Sequence, residues 1–223
     1  MTTTVGFIGS GHIGSTVARL CVDAGYAVVM SNSRGPQTLT ELVAELGPRA
    51  RAAGAEQAAS EGDLVVVTIP LRAYPSVPAA PLVGKVVMDT CNYYPQRDGQ
   101  IPELDSGSLT SSELIERHLA GAHVVKVFNN IFYQHLLSLA RPAGAADRSY
   151  LPIAGDDADA KTRVSEFLDG TGYGAMDAGP LAESWRQQPG TPVYGMVYGP
   201  FSDPAGTPAS EAAVRTALAK ASR

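Results

Sequence analysis

The sequence predicts an α/β protein: a Rossmann-type, doubly wound, mostly parallel sheet with a small C-terminal extension. Three observations predict it. A short apolar run, Val5 to Ile8, leads into Gly9, Gly11 and Gly14 at the spacing of a dinucleotide loop. Strand and helix patterns then alternate along most of the chain. The later strands are continuous β-branched runs, as expected where both faces of a sheet are covered.

Each element has a local reason. Gly9 permits a tight turn out of the first strand, Gly11 lets a pyrophosphate approach the backbone, and Gly14 lets the following helix pack closely. Ile13, Val17, Leu20, Cys21 and Ala24 recur at helical spacing, and Gly25 stops the helix. Tyr26–Met30 is the second strand. Pro36 suits the first turn of a helix running through Leu39, Leu42, Val43 and Leu46 to Gly47. Asp63–Ile69, Lys85–Asp89 and His123–Phe128 are strands, with weaker ones at Tyr150–Ala154 and Ala175–Ala178. Thr110 and Glu113 have capping-box spacing before an apolar face. A helix through Ala160, Val164, Phe167 and Leu168 ends at Gly170. A last helix follows Pro208 and buries Ala213, Val214, Ala217 and Leu218.

The nucleotide reading follows from two segments. Gly9, Ser10, Gly11, His12 and Ile13 form the loop and helix start that face the phosphates. An NAD site carries Asp or Glu at the end of the second strand to hold the ribose 2′-hydroxyl. Here no acid lies between Tyr26 and Thr40, and the place is taken by Ser31, Asn32, Ser33 and Arg34. Hydroxyl, amide and guanidinium groups suit a 2′-phosphate, so the expected cofactor is NADP(H). The alternative for Arg34 is a solvated surface arginine.

Ligands of such sheets bind at the carboxyl ends of the strands. That rule nominates Thr68, Ile69, Pro70 and Tyr74 after one strand, Asn92 after the next, and Asn129 after the third. The asparagines would hold the carboxamide or ribose, or else cap local turns. Tyr93 and Tyr94 would stack on a flat ring or pack the loop. His135 is the one candidate catalytic group, as a proton or hydrogen-bond donor, and otherwise lies on a helix starting near Asn130. Residues 185–207 mix aromatics with glycine and proline. A subunit interface or ordered surface loop is the preferred reading there, and a flap over an aromatic substrate the other.

Composition narrows the classes. The chain has 223 residues, 44% hydrophobic and 17% charged, with net charge −5 and no basic block, which argues against nucleic acid. No run of eighteen apolar residues exists to span a membrane, and Met-Thr-Thr-Thr leads directly into the first strand. Two cysteines without a Cys-x-x-Cys pair fit a reducing cytoplasm, and four scattered histidines give no metal spacing. The expected division is a dinucleotide-binding domain at 1–182 and, at 183–223, a loop and helix that pack on the same domain or on a partner subunit.

The N-terminal Gly-Phe-Ile-Gly-Ser-Gly-His-Ile-Gly, Ser33-Arg34, Thr-Ile-Pro at 68–70 and Asp177-Ala178-Gly179-Pro180-Leu181 resemble the NADPH-dependent coenzyme F420 reductase family, the F420:NADP oxidoreductases. The resemblance covers roughly residues 4–182. It implies reversible hydride transfer between NADPH and a deazaflavin, a 2′-phosphate held by the Ser33–Arg34 pair, and a homodimer or higher oligomer. Val127-Phe128-Asn129 also resembles the NADPH-flavin domain of the six-transmembrane metalloreductases, which would make a flavin the co-substrate. Hydride transfer between flat rings needs alignment more than acid–base groups. The rival expectations are an NADPH-dependent reductase of a small imine or carbonyl, and a non-catalytic NADPH-binding sensor.

Overall fold

A computed structural model describes residues 2–223. The first half alternates β1 (Thr4–Ile8), α1 (His12–Asp23), β2 (Ala27–Ser31), α2 (Thr40–Leu46), β3 (Ala50–Ala52), α3 (Ala55–Glu61), β4 (Leu64–Val67) and β5 (Val86–Asp89). Short helices α4 (Pro95–Asp98) and α5 (Pro102–Asp105) precede α6 (Ser111–His118) and β6 (His123–Lys126). Then come α7 (Tyr133–Ser138), β7 (Tyr150–Gly155), α8 (Ala158–Gly170), β8 (Gly174–Asp177) and α9 (Glu211–Ala219).

The eight strands form one sheet in the order β3-β2-β1-β4-β5-β6-β7-β8. Pairing is parallel except between β6 and β7. The strand order reverses between β1 and β4, and this switch opens a crevice at their carboxyl ends. Alternation along β4 shows how both faces are covered. Leu64 and Val66 join the core beneath α1 and α8, while Val65 and Val67 join the core beneath α6.

The predicted α/β class and doubly wound sheet are present, and the differences are local. The second strand runs one residue later than predicted. The helix expected from Pro36 divides into a 3-10 turn at Pro36–Leu39 and α2. Thr38 Oγ1 donates to the Gly35 carbonyl and Thr40 Oγ1 to the Gln37 carbonyl, and such side-chain bonds compete with an α-helical turn. The His123–Phe128 strand stops at Lys126 because Phe128 adopts φ 62°. β3 and α3 have no strong pattern in the sequence, since both are short, β3 is half-buried throughout and α3 turns Glu56, Gln57, Ser60 and Glu61 to solvent. The Thr110–Glu113 capping box forms as predicted. α9 buries Val214 and Leu218 but leaves Ala213 exposed.

Under the carboxyl ends of β5 and β6 lies a buried ion pair. Lys126 Nζ is 3.1 Å from Asp89 Oδ2, and neither side chain is exposed. Asp89 also accepts from the Cys91 amide at 2.8 Å and the Ser112 hydroxyl at 2.7 Å, while Lys126 donates to the Cys91 carbonyl. Every partner belongs to the loop after β5 or to the start of α6. Lys126→Met removes the cation and leaves a buried carboxylate uncompensated, so unfolding free energy should fall by about 3–5 kcal/mol in urea titration. A loss below about 1 kcal/mol would contradict this account of the pair.

Candidate active site

Two clefts meet at the switch point. Gly9 turns the chain at φ 113°, and a Cβ there would stand 2.1 Å from the Thr68 carbonyl oxygen. The turn therefore sits directly on the end of β4. A Cβ on Gly14 would stand 2.7 Å from the Gly9 oxygen and from Thr68 Cγ2, so α1 is drawn onto the turn. Gly11 differs, because an added Cβ would meet nothing within 4 Å. It is the N-cap of α1, and no side chain caps that end. The first-turn amides and the helix dipole thus face open space of the kind an anion fills.

The first cleft, about 530 Å³, runs from this turn past Ser31, Asn32, Ser33 and Arg34 to Ala73 and Ser76. Asn32 is locked in place. Its amide donates to Thr38 Oγ1 at 3.0 Å and Ser10 Oγ at 3.3 Å, and its carbonyl accepts from the Arg34 amide at 3.0 Å. Ser33 and Arg34 are exposed beside it. Ser31 departs from its expected role, for its hydroxyl is buried and donates to the Phe7 carbonyl at 2.6 Å. The hydroxyl serves the sheet and is not free for a phosphate.

The second cleft, about 450 Å³, opens on the other side of Gly11 and Thr68–Pro70. His12 and Ile13 form one wall, and the His12 ring stacks on Tyr133 at 4.4 Å. The loop after β5 supplies Thr90, Cys91, Asn92, Tyr94 and Arg97. Burial, with the Asp89 charge adding to it, pushes the Cys91 thiol well up, so it is a neutral thiol. Residues 193–201 close the far side with Tyr194, Gly195 and Phe201. This segment is therefore a wall of the cleft in its own chain, anchored by buried Val193 and Tyr198. Tyr198 donates to the Tyr150 carbonyl at 2.9 Å, and the Gly195 amide donates to the Asn130 carbonyl at 2.8 Å.

Four further nominated residues stand differently from their expected roles. Asn129 lines the cleft, but its amide donates to Asn92 Oδ1 and the Gln187 carbonyl, while its own Oδ1 accepts from Gln187. It fastens the C-terminal segment to the β5 loop and has no free donor for a carboxamide. Asn92 donates to the Asn129 backbone carbonyl at 2.8 Å and completes that clip. Tyr74 lines neither cleft; it packs edge-on against His118 at 5.5 Å. His135 is fully buried, with Nε2 2.7 Å from the Asp203 carbonyl, and cannot reach the cleft as a proton donor. Tyr93 ties its loop together through Gly99 and Asp105.

The strained residue lies next to these. Phe128 is the one non-glycine at positive φ among the described residues. A left-handed backbone costs a residue of this kind about 1–3 kcal/mol and is kept where surroundings enforce it. Here the Phe128 ring is buried against Phe167, and the turn swings Asn129 and Asn130 toward the C-terminal segment. Tyr133 and Arg97 were not legible as cleft residues in the sequence, whereas Thr90 was expected at the carboxyl end of its strand and lines the cleft. The proline after Tyr94, at the first position of α4, is the one local sign that this loop has fixed geometry.

The fold and the glycine-turn cleft define the class: a Rossmann-type sheet built to hold a dinucleotide. Residues 4–93 match the family NADP oxidoreductase, coenzyme F420-dependent, so the resemblance read from the sequence holds over that segment. Metalloreductase STEAP3 of Rattus norvegicus is 30% identical over 183 residues, 81% of this chain and 34% of that protein. The chain spans 34–39% of the length of the curated relatives it matches. Among solved structures, hypothetical protein SMa0349 from Sinorhizobium meliloti is 29% identical with a TM-score of 0.75, covering 88% of this chain and 94% of that one. A structure from Arthrobacter sp. FB24, provisionally assigned as an F420-dependent NADP-reductase, is 25% identical with a TM-score of 0.68, covering 82% and 87%.

Among the described residues no group of His, Cys, Asp and Glu is placed to hold a metal, and no helix is long and apolar enough to cross a membrane. The open space at Gly11 yields a clean test. Gly11→Val meets no protein atom at its Cβ, so stability should change by about 1 kcal/mol or less. Calorimetric binding of both NADPH and NADH should nevertheless be lost. Retained binding would mean that the phosphates lie elsewhere.

Proposed function

We propose that the protein transfers a hydride between NADP(H) and a flat conjugated acceptor, either a deazaflavin of the coenzyme F420 type or a flavin. The observation that carries this reading is the aromatic-walled cleft of about 450 Å³ that opens directly from the glycine turn. A nicotinamide leaving the turn enters it beside Thr68, Ile69 and Pro70. Tyr94, Tyr133, Tyr194 and Phe201 leave room for a second planar group against it. The lining carries no carboxylate, which suits a reaction whose demands are alignment at about 3–3.5 Å and exclusion of water.

In this reading Gly9, Ser10, Gly11, His12 and Ile13 hold the pyrophosphate. Asn32 positions the corner where Ser33 and Arg34 take the 2′-phosphate. Asn92 and Asn129 hold the cleft walls together rather than bind the carboxamide. NADPH supplies the hydride, and the chain orients it. The resemblance of Val127-Phe128-Asn129 to the six-transmembrane metalloreductases supports a flavin, while the match over residues 4–93 supports the deazaflavin. The reading includes a homodimer or higher oligomer, which the family resemblance implies, in the reducing cytoplasm that two unpaired cysteines fit.

Two measurements test it. Arg34→Ala should weaken NADPH about 10- to 100-fold, the worth of one charged hydrogen-bonding group, and leave NADH nearly unchanged. Equal losses for the two coenzymes would remove Arg34 from the phosphate site. NADPH absorbance followed with an acceptor panel should show coenzyme F420 reduced faster than FMN. The reverse ranking would favour the flavin, and turnover of imines or ketones alone would overturn the proposal.

A further inference from the structure

The C-terminal segment and the β5 loop touch at one polar point over the second cleft. Tyr94 and Tyr194 bring their hydroxyls within 2.5 Å of each other, and both residues line the cleft. Two phenols hold two O–H protons, and their mutual bond uses one. Among the described residues neither hydroxyl has another partner. One donor is therefore left over. The Tyr94 ring is held from behind, with the Arg97 guanidinium 4.8 Å from its centroid. Arg97 is fixed by Asp98 and the Asn92 carbonyl. Burial, then the bond to Tyr94, raises Tyr194 far above an ordinary phenol, so it stays a protonated donor through the alkaline range.

We propose that the Tyr94–Tyr194 pair donates the hydrogen bond that stabilises charge on a ring carbonyl oxygen of the hydride acceptor. This rests on the reading above that the acceptor is a conjugated ring. The hydride leaves nicotinamide C4 with the C–H bonding pair, and NADPH becomes NADP+. The acceptor ring gains one C–H or N–H bond and two electrons, and the anion formed places charge on its carbonyl oxygen. The free phenol O–H donates to that oxygen and keeps its proton, and the anion is protonated afterwards by water. Because the charge develops only as the hydride arrives, the donor lowers the barrier more than it tightens binding.

A tie that merely clamps the C-terminal segment behaves differently. Either Tyr94→Phe or Tyr194→Phe breaks the single hydroxyl–hydroxyl bond, so a clamp is lost equally in each single variant and in the double. A donor is not lost equally, because each single variant keeps one phenol over the cleft. The test is NADPH oxidation with whichever of F420 and FMN the wild type reduces. Alongside it, NADPH affinity is measured by fluorescence and the visible band of the oxidised acceptor is recorded with NADP+ present.

Each single variant should lose a few-fold in kcat. The double should lose about 10- to 100-fold beyond the slower single, with NADPH affinity unchanged. Its bound-acceptor band should also move toward that of free acceptor. A double variant no slower than the slower single overturns the donor while leaving the acceptor reading intact. A wild type that reduces neither F420 nor FMN overturns both. Should the double variant not fold, fluorotyrosine at position 194, which acidifies the phenol without changing its shape, must alter kcat at constant NADPH affinity. Invariance there would also overturn the donor.

Discussion

The buried Lys126–Asp89 pair holds the carboxyl end of this sheet in place. It joins the last residues of β5 and β6, and its other hydrogen bonds go to the loop that walls the second cleft and to the start of α6. A buried ion pair is poor value as a source of stability, since desolvation offsets its attraction. Its worth here is directional. The Cys91 amide and carbonyl are both claimed, so the chain leaves β5 along one path. Asn92, Tyr94 and Arg97 follow within a few residues and inherit that path. Burial alone would push the Asp98 carboxyl up, but the Arg97 guanidinium and the Tyr94 and Arg72 amides outweigh it and hold the group ionised. A second fixed charge pair thus continues the first.

The C-terminal segment depends on the same constraint. It is secured to the β5 and β6 loops by the Asn92–Asn129–Gln187 clip, by Asn130, and by the tyrosine pair. The strained turn at Phe128 is what points Asn129 and Asn130 at it. The cleft is thereby assembled from the two ends of the chain: a glycine turn near the N-terminus and an aromatic wall near the C-terminus. In the proposed reading, cofactor selection and acceptor selection fall on different walls. The first cleft ends at the exposed Ser33 and Arg34, while the second is walled by aromatic rings.

Local signals revealed the first wall in the sequence. Gly9, Gly11 and Gly14 announce themselves by spacing, and the missing acid before Arg34 is read from a few adjacent residues. The capping box at Thr110 and the apolar faces of α1 and α8 are local too. The other wall is built by long-range contact, and residue type alone misassigned it. Asn129 and His135 are chemically able to serve a nicotinamide, yet Gln187 and Asp203, more than fifty positions away, claim them. Ser31 was claimed by Phe7 across the sheet. Tyr94 and Tyr194 meet across 100 residues, and no periodicity foretells that.

The central claim is that a hydride crosses directly from a nicotinamide at the glycine turn to a planar ring in the adjoining aromatic cleft. A deazaflavin reports this without ambiguity, because the hydride becomes a carbon-bound hydrogen that does not exchange with water. NADPH doubly deuterated at C4, incubated with the protein and oxidised coenzyme F420, should yield reduced cofactor carrying one deuterium by mass spectrometry. Reduced cofactor carrying only solvent hydrogen at that carbon, or no reduction of either coenzyme F420 or FMN, would contradict the account.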